Sequence, residues 1–118
     1  AYACEPFVTT EQGGGFVRNG KIKNIFAINS RKKTKNDEAD KLLNFIWENF
    51  NMLPFALRWI TKEWEEKEAR ELLDILIKKK AVQAYPVLIE VNEQRVAQAE
   101  HTFIPGESGV TVTTKALE

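Results

Sequence analysis

Along this chain the hydrophobic pattern alternates, turns helical, and then alternates again. Tyr2 to Thr9 is strand-like, Gly13-Gly14-Gly15 marks a flexible turn, and Phe16-Val17 resumes an extended run. Asn19-Gly20 is a strong signal for a tight hairpin. Beyond it Ile22, Asn24, Phe26 and Ile28 fall on one face of a strand, with Lys21, Lys23, Ile25 and Ala27 on the other. The period changes after the basic run Arg31-Lys32-Lys33-Thr34-Lys35. From Asn36 onward Leu42, Leu43, Phe45, Ile46 and Phe50 recur at helical spacing, with Asn36 or Asp37 in position to cap the helix. Pro54 interrupts, Phe55 to Ile60 predicts a short second helix with Arg58 outward, and Thr61 stands where it caps the next segment. A third helix from about Glu66 turns Ala69, Leu72, Leu73, Ile75 and Leu76 inward. It ends in Lys78-Lys79-Lys80, which suits the negative end of a helix dipole.

Strand character returns after the lysines. Ala84 to Val91 and Arg95 to Phe103 read as two strands joined through a tight turn at Asn92-Glu93. Pro105-Gly106-Glu107-Ser108-Gly109 makes another turn before the alternating Val and Thr of Val110 to Thr114. Three helices followed by a hairpin give the outline of a winged helix, set between the segments that hold Glu5 and Glu100. A DNA-reading role is disfavoured: Glu66, Glu68, Glu71 and Asp74 point outward from the third helix, and acidic side chains there repel phosphate.

Composition adds limits. At 118 residues the chain is long enough for one modest domain with a real core, and 43% hydrophobic with 29% charged residues is an ordinary globular balance. Seventeen basic residues match seventeen acidic ones, so net charge supplies no argument for nucleic acid or an anionic membrane. The basic run at 31–35 reads as a solvated loop. A single cysteine, Cys4, excludes an internal disulfide and fits a reducing compartment, so the cytoplasm is the expected location. Cys4 has no nearby base to make it a nucleophile, and the one histidine is His101. No apolar run reaches the length of a membrane span. Ala1 in place of an initiator Met, and Leu117-Glu118 resembling a tag junction, predict a fragment, one half of a nicked protein or a split subunit.

The candidate chemistry lies in two strand-like stretches. Ala3-Cys4-Glu5-Pro6-Phe7 and Ala97-Gln98-Ala99-Glu100-His101-Thr102 each hold one carboxylate among weakly charged neighbours. A carboxylate inside a buried strand is costly unless a cation or metal neutralises it. Gln98 lies two positions from Glu100 and faces the same side, whereas His101 faces the other.

These stretches resemble the last two metal-ligand motifs of methionine aminopeptidases, the E-P-F/M and A-Q-x-E-H-T strands of the pita-bread metallopeptidases. Asn51-Met52-Leu53-Pro54-Phe55-Ala56-Leu57-Arg58-Trp59 is similar to the G-T-L-P-F-A-x-R-W segment of the helical insertion in type II enzymes, and Tyr85-Pro86-Val87-Leu88 to the Y-P-x-L that follows it. Four motifs in the family's order cover essentially the whole chain. Aminopeptidase P and prolidase share the E-P motif and lack the A-Q-x-E-H-T strand.

The resemblance implies an α+β fold: the C-terminal half of a pita-bread domain, an antiparallel sheet with an inserted three-helix, winged-helix-like subdomain. On that reading residues 1–35 and 81–118 belong to the sheet and 36–80 to the insertion, with 84–98 as its wing-like hairpin. It implies an enzyme removing the initiator methionine from nascent proteins, with two divalent ions (Co, Mn, Fe or Zn) and five ligands. Glu5 corresponds to a glutamate that binds one ion and is credited with acid/base work, and Glu100 to the glutamate that bridges both. Gln98 is expected to support the site, and Tyr85 and Leu88 to line the methionine pocket. Two aspartates and a histidine are missing, so an N-terminal half is the implied partner and the chain alone is expected to be inactive. Cys4 and Ala99 depart from the usual apolar and aromatic residues at their positions. The alternative is a non-catalytic pita-bread homologue that binds protein or nucleic acid; retention of both glutamates favours the enzyme.

Overall fold

The computed structural model describes residues 1–115; the tag-like Leu117-Glu118 lies outside them. In chain order the elements are β1 (Tyr2–Cys4), β2 (Phe7–Thr9), β3 (Val17–Ile28), α1 (Asp37–Phe50), β4 (Phe55–Ala56), α2 (Leu57–Ile60) and α3 (Glu66–Lys78). After them come β5 (Val82–Glu90), β6 (Val96–Gln98), β7 (His101–Gly106) and β8 (Gly109–Val112). The chain divides into two compact units, one of Asn19–Val87 and the other of Ala1–Arg18 together with the chain from Leu88 onward.

Among the described residues the unit of Asn19–Val87 holds all the buried apolar ones, which run from Phe26 to Val82. Leu42, Leu43 and Ile46 of α1 meet Leu72, Leu73 and Leu76 of α3, with Phe55 and Ile60 closing the core. α1 starts where Asn36 accepts a hydrogen bond from the Ala39 N–H at 2.9 Å, and Asp37, Glu38 and Asp40 occupy the positive end of its dipole. Just ahead, the buried Thr34 donates its N–H and its hydroxyl to Asp40 Oδ1, both at 2.8 Å. The basic run is partly spent in packing, with the Arg31 guanidinium 4.7 Å from the centre of the Trp47 ring.

The end of α3 has a different logic. Lys80 takes a left-handed φ of 58°, its N–H reaches Ile77 O at 2.9 Å, and the Ala81 N–H reaches Leu76 O at 2.9 Å. This pair of bonds closes the helix in the Schellman pattern, with lysine where glycine is usual.

Four sequence expectations are corrected here. Asn19-Gly20 makes no hairpin: β3 runs straight through it, neither residue takes the positive φ such a turn requires, and β5 holds the strand extended along its side. The stretch 84–98 does not close on itself as a wing, because β5 joins the sheet of order β4-β3-β5 and β6 pairs with β2. The helices thus share their unit with strands from both sides of 36–80. Phe55-Ala56 is a two-residue strand pairing with Ile25 and Phe26, which shortens the second helix to Leu57–Ile60. Thr61 ends α2 and does not open α3, whose N-cap is Glu65 without a side-chain bond.

The other unit is two antiparallel ladders. β1-β7-β8 form one sheet and β2-β6 the other. β7 and β8 join through the two residues Glu107-Ser108, with Gly106 opposite Gly109 at a φ of 148° that only glycine adopts readily. Among its described residues Glu90 is the one buried side chain, while Tyr2, Phe7, Val8, Phe16 and Val110 are more than half exposed.

Candidate functional site

Glu5 and Glu100 stand opposite one another. β1 pairs with β7 so that Cys4 faces His101, and β2 pairs with β6 so that Phe7 faces Gln98. One register runs through both ladders and sets Glu5 against Glu100 and Pro6 against Ala99. Directly opposed residues of an antiparallel pair leave the same face. Proline has no N–H to donate, so the ladder thins at this step, and the Ala99 N–H bonds to Pro6 O at 3.2 Å. The carboxylates therefore sit in the gap between two short ladders, where the sequence predicts unbroken strands.

Gln98 shares their face. Its Nε2 donates to Glu5 Oε2 at 3.3 Å, the diagonal contact expected two residues along the partner strand. Against the sequence expectation that each glutamate is buried in a strand, both are exposed. The physical reason is local: this unit has no apolar layer of its own to cover either face of its strands. His101 leaves the opposite face, and its Nδ1 lies 3.1 Å from Thr114 Oγ1. Among the described residues no third histidine, cysteine, aspartate or glutamate joins the pair to form a cluster.

Tyr85 and Leu88 are placed differently. Three positions apart on β5, they leave opposite faces of that strand, and both are exposed. The Tyr85 hydroxyl accepts a hydrogen bond from Gln83 Nε2 at 2.5 Å, its neighbour on the same face.

Glu90 is the residue that sequence reasoning missed. It is 3% exposed, and its Oε1 accepts from the Gly14 N–H at 2.5 Å while its Oε2 accepts from Asn92 and Gln94 N–H at 2.8 and 3.2 Å. Burial pushes this carboxyl up, but the backbone N–H groups of Gln94, Asn92, Gly14 and Gly15 together outweigh it and hold the group below its ordinary value. It ties the glycine loop to the turn after β5. The available signal was that Glu90 is the one charged residue between Val82 and Val91.

Comparison with known proteins first defines the class of fold. The solved structure of a thermophilic Arx1 superposes with a TM-score of 0.77 over 93% of this chain and 29% of its own, at 18% identity, a likeness of fold alone. The described residues of this chain form a mixed α/β architecture of antiparallel sheets and three helices. No protein-family model matches the chain.

Sequence carries the assignment further. The methionine aminopeptidase of Methanocaldococcus jannaschii is 40% identical over 113 residues, covering 96% of this chain and 37% of the relative. That of Saccharolobus solfataricus is 40% identical over 119 residues, covering 98% and 38%, and that of Thermococcus kodakarensis is 38% identical over 113 residues, covering 96% and 38%. The chain is a relative of the archaeal methionine aminopeptidases along nearly its whole length, and it spans little more than a third of the length of the curated relatives it matches.

Proposed function

We propose that this chain is the C-terminal portion of a methionine aminopeptidase of the pita-bread fold, and that the whole enzyme removes the initiator methionine from nascent chains. The observation that carries the reading is the register that sets Glu5 against Glu100 on one face, with the Gln98 amide on the Glu5 carboxylate. Identity of 38–40% to methionine aminopeptidases over at least 96% of the chain supports it.

Two opposed, exposed carboxylates fit part of a divalent-ion site: hard oxygen donors sharing one face, at positions where no fold requirement calls for charge. Glu5 and Glu100 are the residues of this chain that would hold the ions. A bound pair of such ions supplies Lewis-acid polarisation of the scissile carbonyl and acidifies a water. The residues of the chain do the rest. Gln98 donates to one oxygen of Glu5 and holds its orientation, and the Glu5 carboxylate would take a proton from the attacking water and give it to the departing amine. Two further aspartates and a histidine come from the part of the longer protein that these residues do not include. Tyr85 contributes to the methionine pocket, with Leu88 on the other face of the same strand.

The test is release of methionine from a Met-Ala peptide by the full-length protein, beside titration calorimetry with Mn²⁺ or Co²⁺. Glu100→Ala should abolish turnover and lower the number of ions bound, with the fold retained. Unchanged ion stoichiometry in Glu100→Ala overturns the reading.

A further inference from the structure

The Asn19–Val87 unit carries an unfilled groove between a strand edge and a helix. β4 pairs with β3 only at Ile25 and Phe26, so on that side the edge from Asn19 to Asn24 has no strand partner among the described residues. Beside this stretch β3 and α3 flank an open groove of about 590 Å³, with Ile22, Phe26, Leu73 and Ile77 in its apolar part and Lys21, Lys23 and Arg70 around it. Asp74 is the carboxylate that lines it, and Arg70 is ion-paired with Glu66, one turn earlier on α3, at 2.8 Å. Arg70 also donates to Lys23 O at 3.4 Å and to Asn24 Oδ1 at 3.3 Å, so a main-chain acceptor of the edge is met by a side chain.

An open edge beside a helix is the geometry in which an extended peptide adds as an extra strand. We propose that this groove binds an extended peptide segment with acidic residues at alternate positions and apolar residues between them. Charge selects the occupant. Lys21 and Lys23 are two apart and leave one face of β3, so carboxylates at alternate positions of an added strand meet both. Ile22, 60% exposed, leaves the other face and meets the apolar residue between them. A second copy of the same edge is disfavoured, because it brings the same lysines against each other, as edge lysines do in proteins that resist self-association. Glu66 already compensates Arg70, so the selectivity rests on the two lysines.

The experiment uses the full-length protein and a fluorescein-labelled acetyl-Glu-Val-Glu-Val-Glu amide, followed by anisotropy. Saturable binding is expected. A Lys-Val-Lys-Val-Lys peptide should bind at least about tenfold more weakly, and so should the acidic peptide toward a Lys21→Glu/Lys23→Glu variant. A peptide N-methylated at alternate residues on its pairing edge leaves the protein unaltered and removes the ladder bonds, so it should lose binding. Absence of saturable binding by the acidic peptide overturns the proposal. Equal binding of the methylated peptide also overturns it, since that excludes strand addition, and equal binding of the basic peptide removes the part played by the lysines.

Discussion

Three glutamates and one glutamine show how unlike roles follow from local surroundings. Glu5 and Glu100 are exposed and opposed, while Glu90 is buried and satisfied by backbone N–H groups. Its lowered pKa gives the sign of a pH effect. A carboxyl whose folded pKa lies below the unfolded one adds stability that is fully present above the unfolded value, near 4.5, and is lost as pH falls through the folded value. Acid unfolding followed by circular dichroism should therefore be less steep in Glu90→Gln than in the parent, and the variant should be less stable at neutral pH. Gln98→Ala should spare the fold and weaken ion binding or turnover of the full-length protein by about 10–100-fold, as loss of a partner behind a metal ligand does. A Gln98→Ala protein with unaltered calorimetric affinity and turnover removes Gln98 from the site.

Helix ends carry the clearest element-scale predictions. The Asn36 side chain satisfies an orphan N–H of α1, so Asn36→Ala should cost about 1 kcal/mol in denaturant unfolding. Lys80 pays the left-handed penalty at the end of α3, and Lys80→Gly should raise stability by up to about 1 kcal/mol. The periodicity of α1 and α3 was legible: the residues spaced for an inward face, such as Leu42, Ile46, Leu72 and Leu76, are the buried ones. The strands were less so. Asn19-Gly20 carries the local chemistry of a hairpin, yet pairing of β3 with β5 keeps it extended, a long-range gain that no local propensity registers.

For the whole molecule, the distribution of buried apolar residues decides what folds by itself. Among the described residues all of them run from Phe26 to Val82, so a polypeptide of residues 19–87 should fold and unfold cooperatively, and Leu76→Ala within it should cost about 2–5 kcal/mol. Hydrogen exchange of the 118-residue chain should show the amides of α1 and α3 strongly protected and those of β1, β2, β6 and β8 exchanging fast. Uniform protection across the chain is the contrary outcome. The strands of the other unit leave Tyr2, Phe7, Val8, Phe16 and Val110 more than half exposed, an apolar surface of the kind that marks an interaction face.

What the sequence determined by itself was local or motif-borne: the helical periods, the Asn36 cap and the family resemblance, with Glu5 and Glu100 marked as candidates by the motifs that hold them. Each rests on residue spacing or on a short run of neighbours. Tertiary structure decided which strands pair, and with that the register that brings Glu5 opposite Glu100, the partnership of β5 with β3, and the burial of Glu90 against the glycine loop. These depend on contacts between positions far apart in the chain, whose free energy comes from pairing and burial and leaves no period in the sequence.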